Sequence, residues 1–220
     1  MRIKVTKNGP YEVDKNIPLE REEIQSNEKG ECCCWKKTGK VKTVADYRLC
    51  RCGQSKSKPF CDKSHLSTKF MADDANTQEK YKDGAQEFEG PNMTLSDKRK
   101  LCASARFCDR AGTAWNLVEQ KDKKSEKILK EEVHDCPSGR LTLRDKSGKS
   151  IEEKYDQSIS LTEDKPAGVS GPIWVKGEID IESPDGKKYE CRNRVTLCRC
   201  GKSRNKPFCD GSHINEGFKE

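Results

Sequence analysis

Two stretches of the chain carry the residues best suited to chemistry, and they are near copies of each other. Leu49 to His65 reads LCRCGQSKSKPFCDKSH, and Leu197 to His213 reads LCRCGKSRNKPFCDGSH. Each places three cysteines and one histidine at the spacing Cys-x-Cys-x8-Cys-x3-His: Cys50, Cys52, Cys61 and His65, then Cys198, Cys200, Cys209 and His213. Thiolate and imidazole are the ligands of zinc, iron and iron–sulfur centres, and four of them close one site. A disulfide framework has no use for the histidines, so a metal is the stronger reading.

The spacing also says what must hold these side chains. Cys-x-Cys places two thiols on one side of an extended strand, whereas Cys and His four residues apart share one face of a helical turn. Between the pairs, Lys58-Pro59-Phe60 and Lys206-Pro207-Phe208 read as stiff loops, because proline fixes its own φ and restricts its predecessor. Asp62 and Asp210 are placed to open the helical turns by capping free N–H groups. Spacing alone leaves structural zinc and iron equally open.

The second copy contains Cys209-Asp210-Gly211-Ser212-His213 and resembles the CDGSH iron–sulfur (NEET) family, matching its pattern throughout, with Ser203 and Pro207 in place. The first copy matches with Ser55 and Pro59 and departs once, at Lys63, where the family carries glycine. The resemblance implies two [2Fe-2S] clusters, one per motif, with one iron on two Cys and the other on one Cys and the His. Membrane-tethered members of that family carry an N-terminal helix. Here the first twenty residues have no apolar run, and nowhere are there 18 consecutive apolar residues, so an unanchored, cytoplasmic protein is expected. Thirteen cysteines without a secretion signal fit a reducing compartment, where thiols serve metals.

Hydrophobic residues make up only 31% of the 220 residues, and Leu, Ile, Val and Phe together fall below a fifth, a range typical of disorder. Net charge is only +7, from 44 basic and 37 acidic residues, and turn signals recur regularly. A folded chain with so small a core needs staples, which two metal sites would supply. The charges are interspersed, as in KDKKSEKILKEE, so a solvated surface is expected rather than a nucleic-acid footprint. Lys56, Lys58, Arg204 and Lys206 could offset cluster charge or simply be solvated.

The repeat is larger than the metal motif. Gly9-Pro10-Tyr11-Glu12-Val13, followed by Ile17 and Leu19, mirrors Gly171-Pro172-Ile173-Trp174-Val175, followed by Ile179 and Ile181. Ile3 and Val5, then Tyr11 and Val13 across Asn8-Gly9-Pro10, predict a hairpin. A strand over 173–182 turns at Ser183-Pro184-Asp185-Gly186 and returns through Tyr189, Cys191, Val195 and Leu197 onto Cys198. The first half takes a longer route containing Cys32-Cys33-Cys34-Trp35, where Cys32 and Cys34 would share a strand face as a redox pair or accessory thiol site, or form an inert thiol cluster or loop insert. The two halves read as pseudo-twofold partners in an α+β, β-rich fold, and relatives that dimerise imply that this chain is a monomer containing its own pseudo-dimer.

The expected organisation is a first CDGSH-type unit over 1–70, a linker over 71–92, a middle domain over 93–165 and a second CDGSH-type unit over 166–220. In the middle domain Ser96 is placed to cap a helix to about Arg106, Trp115-Asn116-Leu117-Val118 reads as a strand, and a helix capped by Ser125 runs from about Glu126 to Val133. Leu141 and Leu143 lie on a further strand closed by Asp145-Lys146-Ser147-Gly148. This order resembles the divergent single-cluster 4Fe-4S ferredoxin-like domains, whose mark of Cys-x5-Cys followed by Cys-Pro-Ser-Gly is met by Cys102, Cys108 and Cys136. Only three cysteines are present, with His134 as the nearby candidate for a fourth ligand. The domain is therefore either a third Fe–S site or a structural insert.

No Gly-rich nucleotide loop, Ser–His pair or paired carboxylate accompanies these motifs, so no enzyme is expected. The reading is an iron–sulfur protein for single-electron or cluster transfer, acid-labile through its His ligands, with a redox protein or an apo-protein acceptor as partner. Two readings stand beside it: a zinc-stabilised RNA- or protein-binding module, and a redox-sensing subunit of a larger enzyme.

Overall fold

The computed structural model describes residues 1–14, 16–74 and 79–220. In chain order the first half forms β1 (Arg2–Val5), β2 (Tyr11–Val13), β3 (Leu19–Ser26), β4 (Cys32–Val41), β5 (Tyr47–Leu49) and the one-turn helix α1 (Ser64–Ser67). The middle forms β6 (Gln86–Glu89), β7 (Met93–Asp97), 3-10 turns at Arg99–Leu101 and Phe107–Gly112, α2 (Ala114–Val118), α3 (Lys123–Asp135), β8 (Leu141–Asp145) and β9 (Ser150–Ile151). The second half forms β10 (Ser158–Asp164), β11 (Val169–Lys176), β12 (Asp180–Glu182), β13 (Arg194–Leu197) and α4 (Ser212–Asn215). The fold is α+β and β-rich.

The two halves are joined by exchanged strands. One sheet has the order β12-β1-β2-β5 and another β13-β11-β10-β3-β4, so the first borrows β12 from the second half and the second borrows β3 and β4 from the first. The borrowed pairs are parallel, with Ile3 opposite Ile181 and Ile159 opposite Leu19, while the pairs within a half are antiparallel. Alternate residues of both sheets point into one core, where Ile3, Val5, Tyr11 and Val13 meet Ile159, Ile173, Val175 and Ile181. Each such fully buried side chain contributes about 1.5–3 kcal/mol, which neither half could collect alone.

The expected hairpin at Asn8–Pro10 forms, with Ile3 opposite Val13. The expected single strand over 173–182 is broken into β11 and β12 at Gly177, whose φ of +78 turns the chain.

The middle sheet, β6-β7-β8-β9, carries its own core of Leu95, Leu129, Val133, Leu141 and Leu143 under α2 and α3. Several expectations are corrected here. Gln86–Glu89, expected in the linker, is an edge strand, and residues 75–78 of that linker lie outside the described residues. Ser158–Asp164, expected to close the middle domain, pairs with β3 and β11. Ser96 caps no helix, because Met93–Asp97 is a strand buried on both faces between β6 and β8, which erases the alternation that would announce it. Trp115–Val118 lies on α2, where Ala114, Leu117 and Val118 share a buried face and Thr113 accepts from the Asn116 N–H. The helix expected from Glu126 starts at Lys123, capped by Asp122, which accepts the N–H groups of Lys124 and Ser125 at 3.0 Å each.

Candidate metal centres

β5 and β13 run directly into the candidate ligands. Leu49 precedes Cys50 and Leu197 precedes Cys198, and each strand end is held by a bridge to its own loop, Leu49 to Phe60 and Leu197 to Phe208. The loops are self-supporting. Ser55 Oγ donates to Phe60 O at 2.6 Å and accepts from Ser57 N at 3.0 Å, and Ser203 repeats both contacts with Phe208 O and Asn205 N. Both loop prolines follow cis peptide bonds. Asp62 accepts from Ser64 N at 2.9 Å and Lys56 N at 2.8 Å, and Asp210 likewise from Ser212 N and Arg204 N, so each ties the helical turn to the loop besides capping it.

The four donors of each motif fall into two pairs. Cys50 Sγ lies 3.8 Å from Cys52 Sγ, and Cys61 Sγ lies 3.5 Å from His65 Nδ1. The second motif repeats this, with Cys198 and Cys200 at 3.6 Å and Cys209 and His213 Nδ1 at 3.5 Å. Among the described residues no three Cys, His, Asp or Glu side chains gather tightly enough for a single ion. Within each Cys-x-Cys pair, the hydrogen bond between the thiols lowers one member to about 6, helped by backbone N–H groups and by Lys58 or Lys206, and raises the other. One thiol of each pair is thus biased towards the thiolate that a metal needs. Burial lowers the His213 imidazole to about 4, so it stands neutral, as a ligand must.

The two motif loops touch. A side chain at Gly53 would strike the Cys200 carbonyl at 2.4 Å, and one at Gly201 would strike the Cys52 carbonyl at 2.3 Å. Both glycines also have positive φ, +75 and +79.

Three residues that carry the site were missed from sequence. Arg51 and Arg199 stand between the paired thiols and point the other way, into the body. Arg199 donates to Gly171 O and Thr162 O at 2.7 Å and to Glu163 at 2.8 Å, while Arg51 donates to Thr6 O at 3.0 Å and pairs with Asp74. Tyr11, from the first half, donates to Cys198 O at 2.7 Å in the second. The identical Cys-Arg-Cys in both copies was the available signal for the arginines; nothing local marked Tyr11.

In the middle, Cys102, Cys108 and Cys136 line one recess with Arg140, whose guanidinium forks onto Asp97 at 2.6 and 2.7 Å and donates to Cys102 Sγ at 3.2 Å. Burial pushes the Cys108 thiol well up, with Cys136 adding to it. No helix joins Cys102 to Cys108, and the chain between them is irregular, with left-handed turns at Ser104 and Arg106 before the 3-10 turn that begins at Phe107. His134 is turned away from this recess, its Nε2 3.3 Å from Ile151 O. Cys32 and Cys34 do not share a face: a register shift at Cys33 leaves Cys32 buried and Cys34 exposed, with Cys33 and Cys34 Sγ 3.5 Å apart. The segment docks the middle unit instead. Trp35 stacks on Phe107 and Trp174 and donates to Asp135 O at 2.9 Å, and Arg110 donates to Cys33 O at 2.7 Å.

The model of the iron-binding zinc finger CDGSH type matches residues 8–66 and 170–214, and that of the divergent 4Fe-4S mono-cluster matches 88–146. The chain carries two CDGSH-type regions flanking a divergent 4Fe-4S region. No curated protein and no solved structure matches it. Both CDGSH regions contain a complete quartet, and the three middle thiols fall inside the 4Fe-4S match or at its recess, so this is an iron–sulfur protein. None of the described helices is long and apolar enough to cross a membrane.

Proposed function

We propose that each CDGSH quartet holds a [2Fe-2S] cluster, one iron on the Cys-x-Cys pair and the other on Cys and His, and that the protein carries single electrons or hands clusters on rather than acting as an enzyme. The observation that carries this is the division of each quartet into two pairs. A structural zinc draws all four donors onto one ion, whereas a two-iron core takes two at each end. Such a core supplies a one-electron couple. The residues around it tune that couple: Arg51 and Arg199 anchor the strand ends, Lys58 and Lys206 favour the thiolates, and a neutral imidazole removes one negative charge from each site. The potential should then lie between all-thiolate and two-His centres.

Cys102, Cys108 and Cys136 are the residues that would hold a third core, with Arg140 offsetting thiolate charge. They offer one thiolate fewer than a four-iron core has corners. The partner is a redox protein or an apo-protein acceptor, and the chain acts as a monomer in a reducing compartment. Its interspersed charges, many of them paired, favour neither a membrane nor a nucleic acid as partner.

Iron, acid-labile sulfide and zinc counted per chain on anaerobically purified protein test this. About four irons with matching sulfide support the two quartets, and a colourless protein with two zincs and no sulfide overturns them. His213→Cys should keep the visible absorbance and lower the potential of the second site by on the order of 100 mV. An unchanged potential in redox titration would remove His213 from the ligand set.

A further inference from the structure

The two quartets are alike in sequence and unlike in surroundings. Cys209 and His213 are 2% and 3% exposed, whereas Cys61 and His65 are only half-buried, and these two are the only partly exposed members of either quartet. The difference begins in the sheets. Strand register sets Lys4, Glu12 and Arg48 side by side on the outer face of β1, β2 and β5, and Ser160, Trp174 and Thr196 at the matching places of β10, β11 and β13. The first face is charged and open, and the groove over it is lined by Arg2, Glu12 and Arg48 together with Phe60 and Cys61. The second face is buried, with Trp35 and Tyr155 packed on Trp174. The middle unit extends this cover onto the motif itself. Asn205 Nδ2 donates to Lys100 O at 3.0 Å, and Ser104 Oγ fills the place where a side chain at Gly211 would begin. The corresponding residues of the first motif, Ser57 and Lys63, face solvent. Lys63 adopts the same left-handed turn as Gly211, with φ of 72 against 85, so the second motif keeps glycine because Ser104 occupies the side-chain space.

We infer that the first motif is the exchange site, from which an iron–sulfur core is handed to a thiol-bearing apo-protein, and that the second is a retained site locked by the middle unit. This rests on the reading of the quartets as Fe–S centres. An acceptor has to reach the ligands to replace them, and from solvent only Cys61 and His65 offer a way in. In the exchange the bonds from Cys50, Cys52, Cys61 and His65 to the two irons break as four acceptor thiolates bind in their place. The acceptor thiols give up four protons, of which the three freed cysteines take three and the His65 imidazole or solvent the fourth. Both irons keep their oxidation state, so no oxidant or reductant is consumed. At the second motif the same replacement requires Asn205 to leave Lys100 and the Gly211 turn to part from Ser104 before any ligand is approached. The middle unit does this by packing alone and needs no metal of its own.

The full-length chain, loaded with iron and sulfide anaerobically, is mixed with a ferrous chelator and, in parallel, with the apo form of a four-cysteine [2Fe-2S] ferredoxin. Under the chelator the quartet iron should leave in two phases of equal size, the first on the order of tenfold faster, because the second waits on an opening that breaks a buried hydrogen bond. Asn205→Ser and Gly211→Lys, which copy the first motif, should each speed the slow phase and leave the fast one as it was. Asn205→Ser removes one contact alone and decides the point if Gly211→Lys fails to fold. The ferredoxin should gain intact cores, read from its own visible dichroism, equal in number to the fast half and no more. A single phase, a slow phase indifferent to Asn205→Ser, cores delivered alike from both quartets, or fast-phase iron that never reaches the ferredoxin as an intact core overturns the inference while leaving the Fe–S reading standing. Iron and sulfide missing from the quartets would instead overturn that reading.

Discussion

Glu132, on α3, is fully buried, and neither of its carboxylate oxygens has a hydrogen-bond partner among the described residues. Burial raises its carboxyl from the ordinary 4.5 to about 8, only partly opposed by Arg110. The folded protein therefore keeps this proton where the unfolded chain has lost it, and stability falls as pH rises from about 4.5 to about 8, then levels off. Glu132→Gln removes the ionisation. The variant should gain on the order of 3 kcal/mol over the parent at pH 8 and almost nothing near pH 4.5, read from thermal unfolding at the two pH values. A gap that does not widen with pH would show that Glu132 is already ionised in the fold. Nothing in the sequence around Glu132 set it apart from the neighbouring Glu131, which is half exposed in its ion pair with Arg110.

Among the elements, the motif loops are the most constrained. Gly53→Ala would put a methyl against the Cys200 carbonyl in a backbone turn that already disfavours it, at a cost of about 2–4 kcal/mol. Because the obstructed atom belongs to the other motif, both sites should lose iron faster under a chelator, although only the first is altered. Loss confined to the first site would mean that the loops open without each other. β4 shows how an element can be legible in outline and obscure in role. Its cysteines drew attention as chemistry, yet Trp35, one residue on, is what fixes the middle unit against β3 and β11. Short helices were the least legible: α2 has only five residues, too few to display a period.

For the whole molecule, the exchanged strands make the halves interdependent. β1 pairs with β12 and β3 with β10, so a fragment of residues 1–70 leaves β1 and β3 with open edges and half of a core. Such a fragment alone should be unfolded or associate with itself, and mixing it with the remainder of the chain should restore far-ultraviolet dichroism and bound iron together. The intact chain should elute as a monomer in size-exclusion chromatography with light scattering. A folded, monomeric fragment would show that the exchange adds little to stability.

The two candidate quartets and their doubling were legible in local order, since coordination chemistry needs particular side chains at particular separations along a strand end and a helical turn, and those separations are written in the chain. The hairpin at Asn8–Pro10 was local in the same way, its turn and flanking alternation lying within a dozen residues. What only the tertiary structure decided were relations between distant residues: which half each strand joins, that Tyr11 serves the opposite motif, and that Ser104 seals one quartet and not the other. These depend on packing between segments far apart in sequence, where burial on both faces of β7 and the choice between equivalent sheet edges leave no periodic mark.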